Sequence, residues 1–341
     1  MDFDEWVAAS VKHNASDLHL CTGHYPVLRI AGDLHIFKHL TQVTPMWMEN
    51  LAQQLLNEVH SLELQRNGQV DFSFSSSCGS RLRGHFFRQQ CGLSAAFRLI
   101  ASQCPTLVDL EVPEVVHQLL PCESGLILVT GATGSGKSTT LAGMIGSINQ
   151  TGGRHIITLE DPVEFIHHSE GCLIQQRELG GHISSFGAGL KAALRQDPDI
   201  ILLGELRDRE TIALALTAAE TGHLVLGTLH TRTAAQAVDR LVDVFPAEEK
   251  TSVRSQLANS LMAVIAQKLV RRRGGGQVAV FETMIQTAAV SHLIREGKTH
   301  QLPGIMQTGG AMGMQTFEQG LQQRQHQGLL PLAEDISQIH H

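Results

Sequence analysis

At 341 residues the chain exceeds one ordinary compact domain and predicts two, while 42% hydrophobic and 4% aromatic residues allow conventional cores. A formal charge of −7 excludes a global electrostatic pull toward nucleic acid or anionic lipid, leaving only local basic patches. The six cysteines (Cys21, Cys78, Cys91, Cys104, Cys122, Cys172) form no C-x-x-C pair, which excludes a zinc ribbon or dithiol motif, and no run approaches the ~20 apolar residues of a membrane span.

The acidic start Met1-Asp2-Phe3-Asp4-Glu5 is unlike a signal peptide, so a soluble cytoplasmic chain with reduced cysteines is expected. A short amphipathic helix fits Glu5 to His13. Alternating runs then predict strands at Asp17 to Leu20, Val27 to Ile30 and Leu34 to Phe37, each with one apolar face. Met46 to Leu56 has helical spacing after Pro45, and strands resume around Val70, Phe72 and Phe74 and around Leu93, Ala95, Phe97 and Leu99. Residues 1–110 therefore read as a small α+β domain without a catalytic constellation. Residues 111–121, with Pro113 and Pro121, read as a linker.

From residue 122 to 341 the texture is α/β, with apolar strands alternating with helices as in a parallel sheet covered on both faces. The run Leu126 to Val129 leads into Gly131-Ala132-Thr133-Gly134-Ser135-Gly136-Lys137-Ser138, and a helical pattern with Leu141, Met144, Ile145 and Ile148 on one face follows. This is the phosphate-binding pattern G-x-x-x-x-G-K-[ST] in its required strand–loop–helix context. Its glycines let successive N–H groups point at phosphate oxygens, Lys137 adds a charge, and Ser138 offers a hydroxyl to Mg²⁺; Thr139 completes the nucleotide-binding set. ATP and Mg²⁺ are the expected cofactors.

Three more strands, Ile156 to Leu159, Ile200 to Leu203 and Leu224 to Leu229, end in Glu160-Asp161, Glu205 and His230. Ligands of open α/β sheets bind beyond the carboxyl ends of the strands, so these residues are expected at the edge that holds ATP. Glu205 occupies the place of a water-orienting carboxylate. Gly204 stands where a Mg²⁺-organising Asp is frequent, so Glu160 or Asp161 is assigned the metal's water shell; a helix cap or surface salt bridge is the alternative for each. His230 can sense the γ-phosphate. His223, seven residues earlier at the opposite strand end, reads as a structural hydrogen-bonder or intersubunit contact. The cations close behind Glu205 are Arg207 and Arg209, which leaves room for arginines acting from a neighbouring subunit. Arg83 and Arg98 are the candidates, with solvated strand faces as the alternative.

Past Thr231 the pattern reads as helical over Ala234 to Val244 and Glu248 to Leu269. Arg271-Arg272-Arg273-Gly274-Gly275-Gly276 then makes a hairpin loop, Gln277 to Met284 a strand, and helices fit 287–296, 299–306 and 314–327.

At these residues the sequence resembles the twitching-motility (retraction) ATPases of bacterial type IV pili, within the type II/IV secretion ATPase superfamily. The match spans nearly the whole chain. Besides the P-loop it includes Ala15-Ser16-Asp17-Leu18-His19-Leu20, the acidic box around Glu160-Asp161, the segment Asp197 through Glu205 to Asp208, and the histidine box Ala219 through His223 to His230-Thr231. The resemblance implies a PAS-like N-terminal domain and a RecA-like ATPase domain with C-terminal helices from about 286. It also implies a homohexamer with nucleotide between subunits, and action on an inner-membrane pilus platform protein, alongside other pilus ATPases. A cytoplasmic location, peripheral at the inner membrane through partners, follows. The retraction branch carries a helix motif A-I-R-N-L-I-R-E, answered here by Ala289-Val290-Ser291-His292-Leu293-Ile294-Arg295-Glu296. Rival readings are a pilus or type II secretion assembly ATPase, an accessory motor subunit, and a nucleic-acid translocase on the same core. The paired C-x-x-C insert of assembly motors is missing, intact Lys137, Ser138 and Glu205 argue against an inactive subunit, and the acidic balance argues against nucleic acid.

Overall fold

The computed structural model describes residues 3–330 apart from 31, 39, 78 and 101–103. The chain divides into two compact units, one built on residues 1–103 with 162–165, the other on 104–161 and 166 onward. Cys78 lies outside the described residues, and the other five cysteines are free thiols. Among the described residues no helix is long and apolar enough to cross a membrane.

The first unit is a six-stranded antiparallel sheet with three helices. Its strands are β1 (Ala15–Cys21), β2 (Val27–Ile30), β3 (Asp33–Ile36), β4 (Gln69–Ser75), β5 (Arg81–Gln89) and β6 (Gly92–Ile100), in the order β3-β2-β1-β6-β5-β4. The helices are α1 (Phe3–Lys12), α2 (Pro45–Leu55) and α3 (Glu58–Asn67). Trp6, Val7, Met48 and Leu51 from α1 and α2 join Leu18, Leu20, Phe86 and Phe97 from the strands in one core. Phe72 and Phe86 stack with ring centroids 5.3 Å apart. Across the β4–β5 pair Phe72 faces Gly84, where a Cβ would lie 2.4 Å from the ring, so the aromatic layer requires glycine there. One expectation is corrected: Leu34 and Ile36 on the edge strand β3 are both exposed, so that strand buries no apolar face. The sequence reading assigned no element to the stretch of α3, where Leu64 is the one buried residue.

The second unit starts with the packed helix α4 (Glu114–Leu119) inside the stretch expected as a linker; Pro113 caps it and Val116 is fully buried. The sheet contains β7 (Gly125–Thr130), β8 (His155–Glu160), β9 (Leu173–Glu178), β10 (Ile200–Leu203), β11 (Leu224–Leu229), β12 (Leu261–Arg271) and β13 (Gln277–Ile285), ordered β13-β12-β7-β11-β10-β8-β9. All neighbours pair in parallel except the β12–β13 hairpin. The helices are α5 (Lys137–Thr151), α6 (Phe186–Ala193), α7 (Arg209–Glu220), α8 (Ala234–Asp243), α9 (Lys250–Ser260), α10 (Ala288–Arg295), α11 (Leu302–Thr308) and α12 (Phe317–His326).

Alternation along β7 divides the core. Leu126 and Leu128 pack with residues of α6 to α10, while Ile127 and Val129 pack with Met144 and Ile145 of α5. Strands buried on both faces read as continuous apolar runs, which is why the four expected ones are where the sequence put them.

The reading of Glu248 to Leu269 as one helix is wrong. The helix α9 ends at Ser260, and Leu261 starts a strand paired in parallel with β7. Leu261 through Ala266 is a short apolar run, whose burial in mid-sheet suits a strand and whose periodicity alone cannot separate strand from helix. The arginine–glycine run does form a hairpin, with Arg271 opposite Gln277.

Candidate nucleotide site

The site lies at the carboxyl ends of β7, β8, β10 and β11. The strand β7 delivers Thr130 into the loop 131–136, and positive φ at Gly131 (152°), Gly134 (77°) and Gly136 (87°) turns the chain in ways side chains rarely permit. Gly136 caps α5, whose first residue is Lys137. The lysine is buried and folds back over the loop, its Nζ donating to Gly131 O (2.9 Å) and Ala132 O (3.1 Å). Ser138 is exposed and Thr139 partly so, each following Lys137 in the first turn of α5, where the helix's free N–H groups and positive dipole end favour an anion.

Glu205 follows β10 and is the centre of a charged cluster. Its Oε2 receives Arg207 Nη2 at 2.6 Å and lies 3.3 Å from His230 Nε2 at the end of β11. Burial pushes the Glu205 carboxyl up, but the hydrogen bond and charge of Arg207, together with His230, hold it below its ordinary value. The Arg207 guanidinium is pushed up by Glu205, with a smaller contribution from the Asp161 charge. The cluster thus keeps Glu205 ionised and a hydrogen-bond acceptor. Gly204 is accounted for separately by backbone packing, since a Cβ there would stand 3.1 Å from Leu159 O and 3.2 Å from Glu160 Cα at the end of β8.

Glu160 faces the other way. Its Oε1 accepts from Thr158 Oγ1 (2.6 Å) and Gln176 Nε2 (3.1 Å), toward β9, whereas Asp161 is exposed beside Arg207. His223 sits before β11, with Nδ1 3.1 Å from Ala218 O, at the strand end opposite His230. Arg83 and Arg98 lie on the strands of the first unit, where Arg83 Nη2 is 3.8 Å from Asp71 and Arg98 Nε 3.0 Å from Asp17. Arg209 pairs with Glu249 instead of Glu205.

The sequence reading overlooked two side chains. Arg207, noted only as a nearby cation, is the direct partner of Glu205. Gln267 of β12 donates to Ser135 O at 2.5 Å, a contact no motif signals because it joins residues 132 apart.

Among the described residues no group of three His, Cys, Asp or Glu side chains is placed to hold a metal ion by itself. A hydroxyl at Ser138 and the ionised Glu205 are hard oxygen donors, the type that suits Mg²⁺ held mainly by phosphates and water.

Residues 108–301 match the family model described as type II/IV secretion system protein. The chain is 57% identical over 330 residues to the uncharacterized Escherichia coli (strain K12) protein YggR, covering 97% of this chain and 100% of that one. It is 48% identical over 330 residues to the type IV pilus retractation ATPase PilT of Pseudomonas aeruginosa, covering 97% and 96%. The crystal structure of the pilus retraction motor PilT with bound ADP superposes with a TM-score of 0.91 at 42% identity, covering 99% of this chain and 96% of that one.

Proposed function

Because the chain belongs to the type II/IV secretion system protein family, we propose that it is a Mg²⁺-dependent ATPase whose hydrolysis retracts type IV pili. The observation that carries this reading is the strand order β7-β11-β10, in which the P-loop follows β7 while the paired Glu205, Arg207 and His230 follow the neighbouring parallel strands at the same sheet edge. Loop N–H groups from Gly131 to Thr139 and the Lys137 ammonium would bind the phosphates, and Ser138 would hold Mg²⁺, which when bound neutralises phosphate charge. Glu205 accepts a hydrogen bond from water and aims its oxygen at the γ-phosphorus; the products are ADP and phosphate. Arg207 fixes the carboxylate, and His230 with Asp161 or Glu160 reports nucleotide state.

We read the first unit as PAS-like and the second as RecA-like, in a cytoplasmic homohexamer at the inner membrane that acts on the pilus platform protein. In such a ring Arg83 or Arg98 would leave its Asp partner to reach a neighbour's nucleotide. Mixing Arg98→Ala with Glu205→Gln subunits should then restore part of the hydrolysis, because some mixed interfaces pair an intact Glu205 with an intact arginine. No recovery at any ratio, with subunit exchange demonstrated, would leave Arg98 as the partner of Asp17 alone; the same mixture with Arg83→Ala tests the other candidate.

The helix α10 is where hydrolysis would couple to the pilus. It buries Val290, Ser291, Leu293 and Ile294; the apolar spacing of Ala289, Val290, Leu293 and Ile294 predicts one buried face, of which three members are buried, while Ala289 is exposed and Ser291 is inside. Ser291 sits inside because its hydroxyl donates to Ala258 O at 2.9 Å. Arg295 and Glu296 are exposed, and Arg295 Nη2 donates to Asn259. In a strain lacking its retraction motor the unaltered chain should restore twitching. Arg295→Ala with Glu296→Ala should keep the ATPase rate and abolish that rescue. Normal twitching by the double variant, or an ATPase loss as large as the motility loss, would remove the coupling role.

A further inference from the structure

Gln267 lies directly behind the P-loop. On β12 the preceding residue, Ala266, pairs with Thr130, the last residue before Gly131. The main-chain oxygen of Gln267 stands 2.4 Å from where a Cβ on Gly131 would be, and its side-chain Nε2 donates to Ser135 O at 2.5 Å. One residue, 2% exposed, therefore braces the loop at its first glycine and at the peptide preceding its last.

The second contact has a directional consequence. A trans peptide holds its C=O and N–H antiparallel in one plane, so turning the Ser135 carbonyl toward β12 turns the Gly136 N–H away from β12. That N–H then points to the side of the loop where phosphate oxygens bind. Rotation of this peptide would replace the donor by a carbonyl oxygen and reverse the sign of the local dipole. Gly136 leaves little room between them, since a Cβ there would stand 3.1 Å from Gln267 Nε2.

Packing alone does not account for an amide at this place. Gln267 Oε1 and Ser135 Oγ are both buried without a hydrogen-bond partner among the described residues. A methionine of similar length at 267 would avoid leaving a buried acceptor unpaired. Exchanging the amide's O and N would set two acceptors against each other at Ser135 O. The Nε2 donor is what the position supplies.

We propose that Gln267 is a positioning residue for the nucleotide phosphates, setting through Ser135 O the orientation of the Ser135–Gly136 peptide and thereby the affinity for ADP and ATP. The inference rests on nucleotide binding by the P-loop. The test is a fluorescent-ADP titration with ATP competition on the full chain, for the unaltered protein, Gln267→Met and Gln267→Glu, each melted with and without ADP. Loss of one aligned donor should weaken binding of both nucleotides about tenfold in Gln267→Met, raise KM for ATP more than it lowers kcat, and reduce the stabilisation by ADP. Gln267→Glu keeps the shape, replaces the donor by an acceptor, and should bind more weakly still. A filler role would lower the melting temperature and leave the affinity of the folded protein unchanged. Unchanged affinity in either folded variant overturns the proposal, as does the absence of cooperative melting in both, which would make Gln267 a residue of the fold. An unaltered chain that binds no nucleotide would overturn the reading of the site itself.

Discussion

Glu205→Gln is expected to lower ATP turnover at least ~100-fold while leaving ATP binding nearly intact. The amide keeps the shape of the side chain and an oxygen for Arg207, so the 2.6 Å contact survives and the sheet edge is undisturbed. What it loses is negative charge. The carboxyl is held below its ordinary value by Arg207 and His230 against the opposing effect of burial, so at neutral pH it is the ionised form that faces water. A neutral amide is a weaker acceptor and cannot stabilise the proton that the attacking water sheds. Steady-state hydrolysis together with a nucleotide titration separates the two effects, and near-normal turnover would show that another group orients the water.

Lys137→Ala is expected to act on binding, weakening ADP and ATP by roughly 10- to 100-fold, the usual cost of a lost charge-assisted hydrogen bond. In the structure the ammonium already bridges Gly131 O and Ala132 O, holding the first turn of the loop closed. Alanine therefore removes both the charge proposed to meet the phosphates and the ammonium donors to Gly131 O and Ala132 O that shape the loop. The pair of variants gives opposite signatures: Glu205→Gln binds without turnover, and Lys137→Ala fails at the binding step. Wild-type affinity in Lys137→Ala would mean the phosphates bind elsewhere.

Both variants lie in the part of the molecule that the sequence exposed best. The parallel strands β7, β8, β10 and β11 were legible because a strand buried on both faces is a continuous apolar run, and their polar successors fell at one edge by topology alone. The polar edge strand β9, Leu-Ile-Gln-Gln-Arg-Glu, carried no such signal because most of its residues are only half-buried. The strand β12 was misread for the converse reason: its apolar run continues directly from α9, with no Gly or Pro at the Ser260–Leu261 junction to mark the change.

That misreading hid Gln267. A residue taken as part of a helix has no reason to sit behind the P-loop, and a single glutamine donating to a main-chain oxygen leaves no pattern at any spacing. Arg207 was closer to legible. It lies two residues beyond Glu205, but only the folded turn before α7, with Arg207 Nη2 2.6 Å from Glu205 Oε2, shows that it grips the carboxylate rather than solvent. Ser291 illustrates the same limit on α10, where a polar residue takes a core position because Ala258 O is within reach.

The central claim, an ATP-hydrolysing ring, is tested most directly by measuring ATPase rate per subunit and mass in solution along one dilution series with Mg²⁺ and ATP. A site completed by a neighbouring subunit predicts a hexamer at high concentration and a specific activity that falls in step with its dissociation. A monomer with full activity at every dilution, or a stable hexamer that hydrolyses no ATP, would contradict the account.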